Sequence, residues 1–453
     1  LDEKTQVILG LLSIKSCYNK IFNEQAIRER RKMETTKIDK ERTWIFSPVN
    51  NIVIKIDIKG SILEEQLKEA IKDTINHYDM LHQKIVIDDE GNAYYQKAEL
   101  FEPVVKSMEN DWREVAREQE KQPFAIDKGE FIRFFYSKAE TEMAILIIAH
   151  HIAGDGISFT YFVKDIMRAI SGEKIEYKKL ELYNMEKLPR EARLQPPITW
   201  LIKHMNRKWK KTGRKFDFND YYNMYDKYWN NRETLIYTYN LEGDIYDSIC
   251  RYSKENKVTI NSMVTTALIR SSGELCDVGM AASIREEGFT GMGNYATGIS
   301  AKYRYNEKTN FVENSKIVQK IIYDKLNNTS KRYFLLQFMK SIEPTLIDAI
   351  YFNACDDYNN KTAETFSKMF GYNGNPKGIS ITNLTKLPIE TKYGPYEITD
   401  FTFVPPLVLN AKRIIGIASI GKNMVLSLHL NKDTEVKEHR EFFHKGMEYL
   451  KNL

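Results

Sequence analysis

His150-His151-Ile152-Ala153-Gly154-Asp155-Gly156 is the stretch on which the reading of this chain turns. The apolar run Met143-Ala144-Ile145-Leu146-Ile147-Ile148-Ala149 leads directly into it. That pattern predicts a buried strand ending in a glycine-bearing turn, with a helix following from Phe159 to Ile170. Side chains alternate along a strand, so His150 and His151 are expected to face opposite ways. A neutral imidazole held at a strand end is suited to general-base work near neutral pH. Asp155 lies across a turn eased by Gly154 and Gly156. It could support an imidazole, as in a catalytic triad, or tie the turn to another part of the fold. A plain hairpin with an Asp-Gly turn and two satisfied histidines is the bland alternative. The whole constellation, behind this strand and before this helix, favours a site.

These residues resemble the acyltransferase superfamily marked by His-His-x-x-x-Asp-Gly, which includes chloramphenicol acetyltransferase, condensation domains, alcohol acetyltransferases and the plant acyl-CoA-dependent enzymes. The resemblance implies that His151 is the base and that His150, Asp155 and Gly156 support the loop. Asp155 is then a structural residue facing an arginine. The implied fold class is α/β: two chloramphenicol-acetyltransferase-like lobes, each a mixed sheet flanked by helices, with a channel between them. The expected boundaries are residues 1–180 for the lobe carrying the motif, 181–232 for a connector, and 233–453 for the second lobe.

The 453 residues suffice for two core-forming units. Hydrophobic residues make up 42% and charged residues 28%, an ordinary balance for a globular protein. A net charge of +5, spread along the chain, does not form the clustered basic face that nucleic-acid binding requires. It is compatible with an acidic ligand such as coenzyme A or an acidic carrier protein. Cys17, Cys250, Cys276 and Cys355 are far apart and lack zinc or redox spacing, so free thiols and no metal are expected. The apolar stretch Val7–Leu12 is too short to span a membrane. No signal peptide is evident, and a cytoplasmic monomer is expected.

Along the first lobe, Ile52, Val53, Ile54, Ile56 and Ile58 predict a strand. Leu63, Leu67, Ile71, Ile75 and Tyr78 then recur at helical spacing. Residues 83–87 and 93–96 predict a hairpin around Asp88-Asp89-Glu90-Gly91, and 112–120 a helix. Asn76 and His82 stand where the superfamily usually has arginines, and His77 reads as a helix-end residue. In the connector, Ile198, Leu201, Ile202, Met205 and Trp209 form one apolar helical face among Lys203, Arg207, Lys208, Lys210, Lys211, Arg214 and Lys215. A crossing helix with solvated lysines, an anion- or carrier-docking surface, and membrane contact all fit this pattern.

In the second half, Val258-Thr259-Ile260-Asn261-Ser262 opens a helix. Arg285 precedes Gly293-Asn294, which resembles the superfamily's Arg-bearing strand followed by Gly-Asn and implies that Arg285 partners Asp155. Gly378 to Leu384 resembles the strand carrying Ser-Asn-x-Gly in stand-alone members, with Thr382 for Ser and Thr385 where Gly is usual. Thr382, Asn383 and Asn294 are the candidates for oxyanion stabilisation or substrate positioning. The plant group's Asp-Phe-Gly-Trp-Gly is absent. So are the phosphate-loop, His-Glu-x-x-His and Gly-x-Ser-x-Gly motifs.

These readings converge on an acyltransferase without a tightly bound cofactor. It would move an acyl group from a thioester to a small-molecule hydroxyl or amine acceptor. Acyl-CoA is the expected donor. A phosphopantetheine thioester on an acyl or peptidyl carrier protein, used by a stand-alone condensation domain, is the alternative. An inactive scaffold that kept the fold is the non-enzymatic one.

Overall fold

The computed structural model describes residues 35–98, 102–372, 378–433 and 435–453. Cys17 and the 7–12 stretch lie outside these residues.

Two six-stranded sheets organise the chain. In the first, Asn51–Lys59 and Glu142–His150 pair antiparallel over their whole length, from Asn51 opposite His150 to Lys59 opposite Glu142. Ile132–Lys138 flanks them on one side, followed by Val104–Ser107. The β-branched residues Ile52, Val53, Ile54, Ile56 and Ile58 suit a pleated surface, and all are buried. Helices Glu64–Asn76 and Gly156–Ile170 pack on each other. Their Leu67, Ile71, Phe159, Phe162 and Val163 share one core with those isoleucines. With both faces covered, Glu142–His150 is buried along nearly its whole length, as its uninterrupted apolar run predicts. The expected hairpin forms between Gln83–Ile87 and Ala93–Lys97.

The second sheet takes Ala296–Tyr303, Cys276–Ser283, Ile379–Lys386, Arg413–Ile420, Asn423–Asn431 and Thr234–Glu242 in that order. Helices Ile260–Ser272 and Val436–Lys451 pack on each other, and their buried residues join this sheet's core. Thr259 caps the first of them, its side chain accepting from Ser262 N–H at 3.2 Å.

Residues of the expected lobe 233–453 also contribute to the first sheet and its core. Lys392–Tyr393 and Tyr396–Val404 belong to the first sheet, where Tyr396–Val404 runs antiparallel to Asn51–Lys59. Helices Pro344–Ala354 and Lys361–Phe370 also bury Leu346, Ile350, Phe352 and Phe366 in the first core. The apolar side chains Phe401, Phe403 and Val404 find cover beside the isoleucine strand. Where the crossing strand leaves, it passes tightly over Gly416. A Cβ there would lie 2.3 Å from Phe403 O and 2.6 Å from both Pro405 Cδ and Ser427 Oγ. Backbone cannot yield as a flexible side chain can. Gly416→Ala is therefore expected to destabilise the fold by about 3 kcal/mol, seen as a lower denaturation midpoint at unchanged m-value.

In the connector, helix Pro196–Lys210 buries Ile202, Met205 and Trp209, and Trp209 Nε1 donates to Thr345 Oγ1 at 2.8 Å. This is the crossing-helix arrangement, with Lys203, Arg207, Lys208 and Lys211 exposed. Among the described residues, no helix is long and apolar enough to cross a membrane.

Candidate active site

The Glu142–His150 strand ends at His150, and its last bonds set the turn. His150 N–H donates to Phe131 O (2.8 Å), His151 N–H to Asn50 O (2.9 Å), and Ala153 N–H to His150 O (3.0 Å). The His150 ring is 1% exposed. Its Nδ1 accepts from Ile152 N–H at 3.2 Å, and its Nε2 lies 3.0 Å from Asn50 Nδ2. Phe124 meets the ring edge-on. Burial, then the nearby His151 and Arg133, push its pKa down to about 3. This imidazole is neutral and fully engaged in holding the turn.

His151 faces a different environment. Trp44 stacks flat on its ring, with centroids 3.8 Å apart and planes 8° from parallel. Its Nδ1 is buried without a hydrogen-bond partner of good geometry. The peptide behind it is pinned: Asn294 Nδ2 donates to His151 O at 2.8 Å, and Tyr95 OH to Ile152 O at 2.7 Å. Burial pushes the His151 pKa down to about 4, assisted by the charge of Lys40. Its own carbonyl, Asp155 and Asn294 work in the opposite direction. At ordinary pH the ring is a neutral acceptor.

Asp155 does not support an imidazole. It caps helix Gly156–Ile170, with Oδ1 accepting from Ser158 N–H at 2.8 Å and Oδ2 from Tyr295 N–H at 2.8 Å. Arg285 Nη2 donates to Oδ1 at 2.9 Å, and the pair is 7% and 11% exposed. Burial alone would raise the Asp155 pKa, but Arg285 and the N–H groups of Ser158 and Tyr295 hold it below the ordinary value. Arg285 also donates to Gly291 O (2.8 Å) and Ser158 Oγ (2.6 Å), and its guanidinium lies 4.7 Å from the Tyr295 ring centre. This network joins the motif turn to the 285–295 loop of the second half. Gly156 permits another such contact, because a Cβ there would meet Leu384 Cδ2 at 2.8 Å and Phe403 Cε2 at 2.9 Å.

The three expected oxyanion donors are differently placed. Asn294 has its amide on the His151 carbonyl, which makes it a brace for the turn. Asn383 donates to Asn261 Oδ1 (3.0 Å) and accepts from Thr385 N–H (2.7 Å), so both its ends are engaged. Thr382 is half-buried on the strand that pairs with Arg413–Ile420, and its hydroxyl has no hydrogen-bond partner among the described residues. Thr385 takes a left-handed conformation, φ 61°, where the strand's register shifts. A β-branched residue is strained there. Thr385→Gly is expected to stabilise the fold by about 1 kcal/mol, measured by thermal and chemical denaturation.

The sequence pattern did not reveal the short helix Lys40–Trp44, which supplies Trp44. It is clamped from afar: Arg42 Nε donates to Asp348 Oδ1 at 2.8 Å, Nη2 to Oδ2, and both side chains are buried. Glu41 is 1% exposed, and among the described residues neither of its carboxyl oxygens has a hydrogen-bond partner. Five residues carry no readable periodicity, and nothing local marks their meeting with residues a hundred positions away. His77, read as a helix-end residue, caps helix Glu64–Asn76, with Nδ1 2.8 Å from Asp73 O. An open polar cleft of about 330 Å³, lined by Lys55, Asp57, Arg113, Asn240, Asp400 and Asn423 among others, does not include the histidines.

Known proteins match this arrangement. A family model described as the condensation domain matches residues 41–185, which contain Trp44 and the histidine motif. The hybrid PKS-NRPS synthetase xenE of Xenoacremonium sinensis is 30% identical over 132 residues, covering 28% of this chain and 3% of that protein. The chain thus corresponds to a very small part of that synthetase. Among solved structures, the condensation domain from the Monacolin K polyketide synthase MokA superposes with a TM-score of 0.60 at 13% identity, covering 92% of this chain and 97% of that one. A variant of the starter condensation domain of rhizomide synthetase RzmA, in complex with C8-CoA and Leu-SNAC, superposes with a TM-score of 0.58 at 14% identity, covering 93% and 95%. Residues 41–185 match the condensation-domain family model, and the chain as a whole has the two-sheet fold of the condensation domains it superposes on.

Proposed function

We propose that the chain is an acyltransferase that uses His151 as general base and a thioester as acyl donor. The observation that carries this reading is the His151 ring: neutral, stacked on Trp44, fixed through its own carbonyl, and with Nδ1 enclosed. Nε2 is then the nitrogen that faces a substrate. It accepts the proton from an acceptor hydroxyl or amine as that atom attacks the thioester carbonyl. The tetrahedral intermediate collapses with loss of thiolate, which takes the proton back from the imidazolium. An imidazole with so acidic a conjugate acid is a weak resting base, so proton transfer accompanies attack rather than preceding it. The Thr382 hydroxyl, without a hydrogen-bond partner among the described residues, is the remaining oxyanion donor of the three sequence candidates. Asp155 and Arg285 hold the loop and take no part in the chemistry.

Coenzyme A is the proposed carrier. The RzmA neighbour binding C8-CoA supports it, as does the mild positive charge of this chain. The family match at 41–185 and the xenE segment favour a second donor class, thioesters on carrier proteins. The test is thiol release from short- to long-chain acyl-CoAs with a mixed alcohol and amine pool, comparing wild type with His151→Ala. Acceptor-dependent release lost in the variant supports a CoA-dependent transferase. A folded wild type that releases thiol only from carrier-bound thioesters selects the second donor. No release from either donor overturns the acyltransferase reading.

A further inference from the structure

We propose that Lys40 is an anion-binding residue of the His151 site, placed to receive a carboxylate carried by one of the two substrates. This rests on His151 marking the reaction centre. Four observations carry it. Lys40 opens the short helix whose last residue, Trp44, lies flat against the His151 ring. That helix is held in place by the buried Arg42–Asp348 pair, so the position of Lys40 is set by the fold. Lys40 is close enough for its charge to act on His151, and for the charges of Asp155 and Arg285 to act on it. Yet among the described residues it has no hydrogen bond and no ion pair.

The neighbouring cations are committed. Arg285 is held by Asp155 and by the carbonyls of Gly291 and Phe289, and Arg42 by Asp348. Among the described residues, Lys40 is therefore a cation near His151 left without an anion. Beside it, Glu41 is buried with both carboxyl oxygens unpartnered, although a buried polar group is normally hydrogen-bonded. A built-in Lys40–Glu41 salt bridge would have satisfied both, and the geometry does not form one. Burial raises the Glu41 pKa to about 7, against the pull of Lys40. Near neutral pH much of Glu41 is protonated; burial, the largest influence on Lys40, holds its pKa below the ordinary lysine value, and an incoming carboxylate offsets that cost. The other groups facing this pair are Asp39, Tyr95, Tyr295, Asp155 and Arg285.

Two substrate pairs separate donor from acceptor: succinyl-CoA against butyryl-CoA, and leucine against leucinamide. Each is measured for kcat/KM and, independently of turnover, for binding by calorimetry to the full chain. One carboxylate-bearing member should be preferred about tenfold over its neutral counterpart. Lys40→Gln should abolish that preference through KM, and Lys40→Arg should restore part of it. Glu41→Gln, which keeps a neutral group at that position, should retain the preference and remove its decline above pH 7. No charge preference in an active wild type, or a preference unchanged in a folded Lys40→Gln, overturns the proposal. So does a uniform fall in kcat for all substrates, which would place Lys40 on the reaction's oxyanion instead. Carboxylate binding lost in Lys40→Gln without any wild-type turnover keeps the anion site and overturns only the acyltransferase reading.

Discussion

His151→Ala is expected to lower acyl transfer by about 10²- to 10⁴-fold, the range of a positioned general base, with the fold intact. The stability cost is small for a physical reason. The substitution forfeits the Trp44 stack, worth about 1 kcal/mol, but it also removes an Nδ1 buried without a partner. The pH profile is the sharper measurement. The neutral ring is the active form, and its pKa is pushed down to about 4 by burial. Activity should therefore stay level as pH falls through 6.5, the ordinary histidine value, and decline only towards pH 4. Stability follows the same sign: the folded pKa lies below the unfolded one, so the contribution is complete above pH 6.5 and lost as pH falls from 6.5 through 4. His150, held at about 3, adds in the same direction. His151→Ala should flatten this acid limb in part and leave the His150 share. An activity profile with a midpoint near 6.5, or a fully active variant, would rule out the enclosed neutral imidazole as base.

The Asp155–Arg285 pair should produce the second large effect, on stability rather than chemistry. Breaking one partner of a buried, hydrogen-bonded pair costs about 3–5 kcal/mol. The two sides are not equivalent. Arg285→Ala leaves Asp155 still accepting from the N–H groups of Ser158 and Tyr295. Asp155→Ala removes those two bonds, uncaps helix Gly156–Ile170 and strands a guanidinium, so it should be the more damaging. The double variant should cost clearly less than the sum of the singles, because each single leaves the other charge unpaired. Chemical denaturation of the four proteins gives the coupling. Turnover per folded molecule should fall much less in Arg285→Ala than in His151→Ala. Equal losses at full stability would place Arg285 in the chemistry.

Short-range physics makes part of this fold legible in the amino-acid order. The apolar run into His150, the helix after Gly156, the hairpin at 83–97 and the helix capped by Thr259 follow from periodicity, turn residues and capping, each acting over a few residues. His150 and His151 could be told apart as facing different ways, because strand alternation is local. The meeting of Asp155 with Arg285 came only from family resemblance, since 130 positions separate them. Other features were decided by tertiary structure alone. Trp44 reaches His151 because Arg42 closes on Asp348, 306 positions away. Tyr396–Val404 completes the first sheet because its phenylalanines need the cover beside Asn51–Lys59. Asn294 and Asn383, which the sequence offered as free donors, are engaged by partners that only the folded chain brings near. Lys40 gives no local signal at all. A lone lysine in a polar stretch reads as solvated surface, and only the docking of its short helix through Arg42 and Asp348 brings half-buried Lys40 near His151.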